Sequence, residues 1–190
     1  MRNCCCIRWN DALFARNDQA RLILNRAFEG RQFFVEGAHG NTIDCMFFPC
    51  STNEQVQFDN PSHDLHYLEK PTVIMCNPNA QVYQQMVVAQ NAYWLNFFLK
   101  REINVVCWNY RGYGESSIGM LDFLNPMKAK IDAERVLARA VQLTKVRGKI
   151  GVFGRSIGGI TACHLAAKYN DLVELLVIDR SLDELLNVVE

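Results

Sequence analysis

The chain has no net charge: 20 Lys and Arg offset 20 Asp and Glu over 190 residues. A nucleic-acid surface needs a basic field, so that class lacks its electrostatic footprint and no nucleic-acid partner is expected. Long apolar runs are also missing. None reaches the roughly 18 residues of a membrane-spanning helix. The stretch from Cys4 to Trp9 is too short for a secretory signal and is interrupted by Arg8. No C-x-x-C pair occurs among the eight Cys, so zinc-ligand spacing is absent, and neither a metal nor another cofactor is expected. Histidine is scarce, with four in all, and only His164 follows residue 66.

What is present suits a packed domain. Apolar residues make up 49% of the chain, well above the level of disordered sequences. Cys45, Cys50, Cys76, Cys107 and Cys163 are scattered through apolar segments and read as free thiols of a reducing, cytoplasmic compartment. The run Cys4-Cys5-Cys6 differs. Beside Arg2, Arg8 and Trp9 it has the makings of an S-acylated, membrane-associated terminus; an unmodified tail with reactive thiols stands beside that reading. Arg2 occupies the position where N-myristoylation requires Gly.

The order of elements follows from periodicity. Residues 1–30 form an N-terminal arm whose 12–28 stretch has helical spacing, and residues 31–190 form the main domain. Runs at 32–36 and 42–49, separated by Gly37-Ala38-His39-Gly40-Asn41, predict a β-hairpin. Residues 51–70, with His63, Asp64 and His66, read as a polar loop. Apolar runs at 72–76, 104–109, 150–153 and 173–178 alternate with helical patterns at 80–101, 126–146 and 156–168, and a last helix is expected from about Leu182. Asn125 and Pro126 supply an N-cap and first-turn proline for the middle helix. Alternation of this kind predicts an α/β fold: a mostly parallel sheet after the hairpin, with helices on both faces. Chemistry in such folds sits at the carboxyl ends of the strands.

One of those ends carries Gly154-Arg155-Ser156-Ile157-Gly158, followed by Gly159. Strand, G-x-S-x-G, helix is the pattern of a nucleophile elbow, in which a strained Ser needs neighbours without side chains and the next backbone N–H lies beside the reacting carbonyl. Two further strand ends read Val73-Ile74-Met75-Cys76-Asn77-Pro78-Asn79-Ala80 and Asn109-Tyr110-Arg111-Gly112-Tyr113-Gly114-Glu115-Ser116. With these three motifs, in this order, the chain from about residue 30 onward resembles the α/β-hydrolase superfamily. It is most similar to the intracellular serine-hydrolase branch that includes α/β-hydrolase-domain depalmitoylases and serine-aminopeptidase-like domains. The resemblance implies cleavage of an ester, thioester or amide in a small-molecule or acyl-protein substrate, with Ser156 as nucleophile. It implies the Ile157 and Asn79 N–H groups as oxyanion donors, and Arg111 and Tyr113 as braces of the adjoining loop. Asn77-Pro78 departs from the family's H-G at this point.

The same resemblance exposes a gap. The family order is Ser, acid, His, yet His164 follows Ser156 by eight positions on one helix, about 12 Å along its axis. Asp179, at a strand end, is the candidate acid. The resemblance implies two more strands bearing the acid and the His. Independently, the run 172–178 is nearly all apolar, the pattern of an interior strand, so a longer product or a partner is expected to cover it, or else this form is unstable. A catalytically incompetent, truncated relative acting as a binding or membrane-associated module is the alternative. For the terminal cluster, replacing Cys4, Cys5 and Cys6 together by Ser is expected to move the protein from the membrane to the soluble fraction. A wild-type protein already soluble in its own cells, with no acyl-exchange signal, would refute acylation.

Overall fold

A computed structural model describes residues 11–50, 69–85, 92–117, 125–144 and 149–181. Cys4–Cys6, the 51–68 part of the polar loop with His63 and His66, and the helix expected from Leu182 lie outside them. The elements are α1 (Asp11–Phe28), β1 (Arg31–Glu36), β2 (Thr42–Phe48), β3 (Thr72–Cys76), α2 (Tyr93–Leu99), β4 (Asn104–Trp108), α3 (Pro126–Thr144), β5 (Ile150–Arg155), α4 (Gly158–Lys168) and β6 (Val173–Asp179). Six strands form one sheet in the order β1-β2-β4-β3-β5-β6. The hairpin β1–β2 is antiparallel and joins β4 antiparallel; β4, β3, β5 and β6 run parallel.

The unbroken apolar strands are explained by two covered faces. Ile74, Cys76, Val106, Trp108, Ile150 and Val152 point to the side packed by Val136, Leu137 and Ala140 of α3 and Ala162 and Leu165 of α4. The alternate residues Val73, Met75, Val105, Cys107 and Phe153 point to the opposite side, where Leu24 of α1 and Leu95 of α2 are buried. The hairpin turn is a single 3-10 turn, Ala38–Gly40, and places His39 in the left-handed region at φ 59°. Asn125 caps α3 as its sequence suggests: its Oδ1 accepts the N–H groups of Met127 and Lys128 at 3.0 and 3.2 Å.

Three boundaries differ from the sequence pattern. The single helix expected over 80–101 is interrupted, because Ala80 and Ala92 adopt φ 56° and 53°. Residues 83–85 are helical and α2 starts only at Tyr93, which lets Trp94 pack against Phe153 of β5 at 5.4 Å between ring centroids. Tertiary packing overrides a periodicity that reads as one helix. The helix expected from residue 156 begins at Gly158, and β5 runs on to Arg155, since Ser156 occupies the turn between them. The strand expected to end at residue 109 stops at Trp108, releasing the Asn109 side chain for the contacts described below.

β6 is the outermost strand of the described sheet, and Leu175, Leu176, Val177 and Ile178 are exposed. At the other end of the domain a buried ion pair knits loop, hairpin and helix. Arg111 donates from Nε and Nη2 to both carboxylate oxygens of Asp132 at 2.8 and 2.7 Å, and Asp132 also accepts the Ala38 N–H at 2.8 Å. Both side chains are at most 2% exposed. Arg111→Met is expected to cost about 3–5 kcal/mol in urea unfolding, because it strands a buried carboxylate. The double change Arg111→Met with Asp132→Leu is expected to cost less than the single one.

Candidate active site

The parallel register brings the carboxyl ends of three strands to one level, pairing Cys76 of β3 with Gly154 of β5 and Arg155 of β5 with Asp179 of β6. Ser156 follows immediately, half-buried and at φ 53°. A non-glycine residue in this region is strained and persists only where its surroundings hold it. Here they do. The Ser156 N–H donates to the Asp179 carbonyl at 3.1 Å, and the Ser156 carbonyl accepts from the Ser181 hydroxyl at 2.6 Å and the Gly159 N–H at 2.9 Å.

The three glycines are each required by a contact. A Cβ on Gly154 would lie 2.6 Å from the Gly158 carbonyl oxygen and 2.7 Å from the Ala162 Cβ. On Gly158 it would fall onto the Cys76 carbonyl and 2.7 Å from the Asn77 carbonyl oxygen. On Gly159 it would overlap the Ser181 side chain. The first residues of α4 therefore touch the β3 loop backbone to backbone, which sets the elbow beside Asn77-Pro78-Asn79.

That loop is braced from two sides. Asn77 is buried and its Nδ2 donates to the Trp108 carbonyl at 2.8 Å, while its Oδ1 is buried without a partner among the described residues. Asn79 is exposed; its Oδ1 accepts the Tyr113 hydroxyl at 3.0 Å and the Ala80 N–H at 2.9 Å. Neither the Asn79 nor the Ile157 N–H has an acceptor among the described residues. Tyr113 thus holds the Asn79 side chain, whereas Arg111 reaches Asp132 and the Ala38 carbonyl of the hairpin turn.

Other candidate groups are engaged elsewhere. The Asp179 carboxylate is bound by Arg180 at 3.0 and 3.3 Å and lies 3.4 Å from Arg155 Nε. The Arg180 hydrogen bond, with the charges of Arg180 and Arg155, outweighs desolvation and holds its pKa below the usual carboxylate value. His164 Nε2 sits 2.6 Å from Glu134, a carboxylate that also binds Lys168 and Tyr169, and His39 is exposed on the hairpin turn. Neither accompanies Ser156. Burial pushes the Cys76 thiol up to about 11, so the cysteine at the end of β3 stays protonated and is no rival nucleophile. Among the described residues no three His, Cys, Asp or Glu converge as metal ligands.

Sequence reasoning missed Asp44. It is wholly buried, and its carboxylate accepts from Tyr83 Oη at 3.0 Å, Gln84 Nε2 at 3.1 Å, Asn109 Nδ2 at 2.8 Å and Gln32 Nε2 at 2.9 Å. Its only trace in the sequence is one acid inside an apolar strand.

A strand-ending elbow with Ser at positive φ, on a sheet of this order, defines an α/β hydrolase fold. The model of the alpha/beta hydrolase fold family matches residues 71–188, and the chain belongs to that family. Among curated proteins it is 28% identical over 144 residues to alpha/beta hydrolase domain-containing protein 17B of Xenopus tropicalis, covering 76% of this chain and 42% of that protein. It is 25% identical over 111 residues to an uncharacterized membrane protein of Saccharomyces cerevisiae, covering 58% of this chain and 36% of that protein. The chain thus spans less than half the length of these relatives. In fold it is similar to an esterase of Pyrococcus furiosus, with a TM-score of 0.63 at 16% identity over 84% of this chain and 54% of that one. It is similar also to a lidless serine hydrolase of Xanthomonas campestris, with a TM-score of 0.56 at 20% identity over 78% of this chain and 60% of that one.

The steric argument makes a specific expectation. Gly158→Ala must push apart backbone atoms of α4 and the β3 loop, which cannot swing aside as a side chain does. A loss of about 2–4 kcal/mol in thermal or urea unfolding is expected, whereas Gly40→Ala, at φ 73° with open space around it, should cost about 1 kcal/mol.

Proposed function

We propose that this chain carries the nucleophile half of a serine hydrolase that cleaves a carboxylic ester, thioester or amide through a Ser156 acyl-enzyme. In this reading the Ser156 oxygen attacks the acyl carbon and its proton passes to a general base. The carbonyl oxygen becomes an oxyanion held by the Ile157 and Asn79 N–H groups. The alcohol, thiol or amine leaves with a proton, and water then hydrolyses the acyl-enzyme. Two such donors lower the barrier of acyl transfer by several kcal/mol. The observation that carries the reading is Ser156 itself, held at φ 53° between glycines, with both neighbouring donors unengaged among the described residues. In this reading the base comes from outside the described residues, because His164 stands eight positions after Ser156, about 12 Å along the axis of α4, and His39 is on the hairpin turn. Asp179 remains the candidate acid, on condition that its carboxylate leaves Arg180 and Arg155.

A second reading is favoured by the absence of a His beside Ser156 among the described residues: a binding module that keeps the fold without turnover. Peripheral attachment through acylated Cys4, Cys5 and Cys6 is compatible with both. No described helix is long and apolar enough to cross a membrane.

A fluorophosphonate probe separates the two. Labelling is expected at Ser156 only, weak in the 190-residue chain, and gone in Ser156→Ala. Strong labelling would place a working base within these residues. Labelling that survives the substitution would sink the Ser156 assignment, and none at all would favour the binding module.

A further inference from the structure

Both polar groups of the Ser156 backbone are held by the end of β6. The N–H donates to the Asp179 carbonyl at 3.1 Å, and the carbonyl accepts the Ser181 hydroxyl at 2.6 Å and the Gly159 N–H at 2.9 Å. Between these two holding residues Arg180 stands at φ 48°, a region that bulky side chains avoid, and its guanidinium grips the preceding carboxylate at 3.0 and 3.3 Å. The kink turns the chain back across the start of α4, where Gly159 leaves the space that the Ser181 side chain fills. Among the described residues Ser181 is the one side chain bound to the Ser156 backbone.

The Ser156 carbonyl and the Ile157 N–H belong to one planar peptide unit and point in opposite directions. Whatever fixes the first therefore aims the second. We propose that Ser181 is a positioning residue for the oxyanion hole: its hydroxyl pins the Ser156–Ile157 peptide so that the Ile157 N–H faces the acyl oxygen. The inference rests on the serine-hydrolase reading, in which that N–H is one of two oxyanion donors. The Gly159 N–H is a lesser anchor, because it belongs to the same turn and moves with it. Ser181 reaches in from a different strand and ties the peptide to the sheet. Ser156 sits at φ 53°, a conformation that persists only where its surroundings over-determine it. Removing the outside restraint lets the peptide relax, and relaxation turns the N–H away.

The test is Ser181→Ala in the full 190-residue chain, read in two ways. Backbone NMR reports the peptide: the Ser156 carbonyl carbon and the Ile157 amide nitrogen should shift, and Ser181→Thr, which keeps a hydroxyl, should return both toward their wild-type positions. Saturation kinetics with the fluorophosphonate probe report the hole. The maximal labelling rate of Ser156 should fall about tenfold in Ser181→Ala, with the half-saturating probe concentration unchanged, and recover to within about threefold in Ser181→Thr. Loss of folded protein would lower the labelled fraction rather than the rate, and Gly40→Ala, on the hairpin turn, should label at the wild-type rate. If either variant does not fold, Ser181→Cys, a weaker donor of similar shape, should give intermediate shifts and an intermediate rate. Unchanged peptide signals overturn the proposal, and so does a maximal rate untouched by loss of the hydroxyl. A wild-type chain without any labelling removes the hydrolase reading, and the peptide signals then decide alone whether Ser181 pins the Ser156–Ile157 unit.

Discussion

The Asp44 carboxylate is the contact on which the geometry of the site end depends. It sits inside β2, shielded from water, and its side-chain hydrogen bonds come from three other pieces of the molecule. Tyr83 and Gln84 belong to the segment after the β3 loop, Asn109 opens the loop after β4, and Gln32 belongs to the neighbouring hairpin strand. Asn109 closes the ring by accepting the Tyr83 N–H at 2.8 Å and donating to Gln84 Oε1 at 3.0 Å. The backbone joins in: the Asp44 N–H donates to Ser116 Oγ, which donates to the Asn109 carbonyl, both at 2.8 Å. A buried acid of this kind must be fully satisfied or it costs more than it contributes. Satisfying it fixes how the two loops beside Ser156 enter and leave the sheet.

The N-terminal helix is drawn into the same network. Arg21 of α1 donates to Glu115 at 2.7 Å and approaches Asp44 at 3.9 Å, and Gln85 donates to Asn17 of α1 at 2.9 Å. Burial lowers the Arg21 pKa and is outweighed by the surrounding Tyr83, Glu115 and Asp44, which leave it above its ordinary value. With Leu24 buried in the core, α1 packs as part of the layer facing that side of the sheet rather than as a loose leader.

Much of this was legible in the residues. The unbroken apolar runs of β3, β4 and β5 specify a sheet covered on both faces, and three motifs in order identify the fold and the turn that holds Ser156. Asn125-Pro126 marks the start of α3 because a cap is a local interaction. What escaped was long-range. Nothing near Ala92 signals a break, since the reason for it, Trp94 meeting Phe153, lies some sixty positions away in the chain. Asp44 and Asp132 look like solitary acids until their partners from other elements are placed around them. The Ser181 contact with Ser156 is invisible for the same reason.

That last contact changes what the motif means. Ser156 is held through its N–H by Asp179 and through its carbonyl by Ser181, and Gly159 is a glycine because Ser181 occupies the space beside it. The five-letter string from Gly154 to Gly158 is therefore only the written part of the elbow. Its physical unit extends through α4 and the whole of β6 to residue 181. A sequence that preserves the string but diverges at the end of the following strand preserves the spelling of a nucleophile without the scaffold that shapes it.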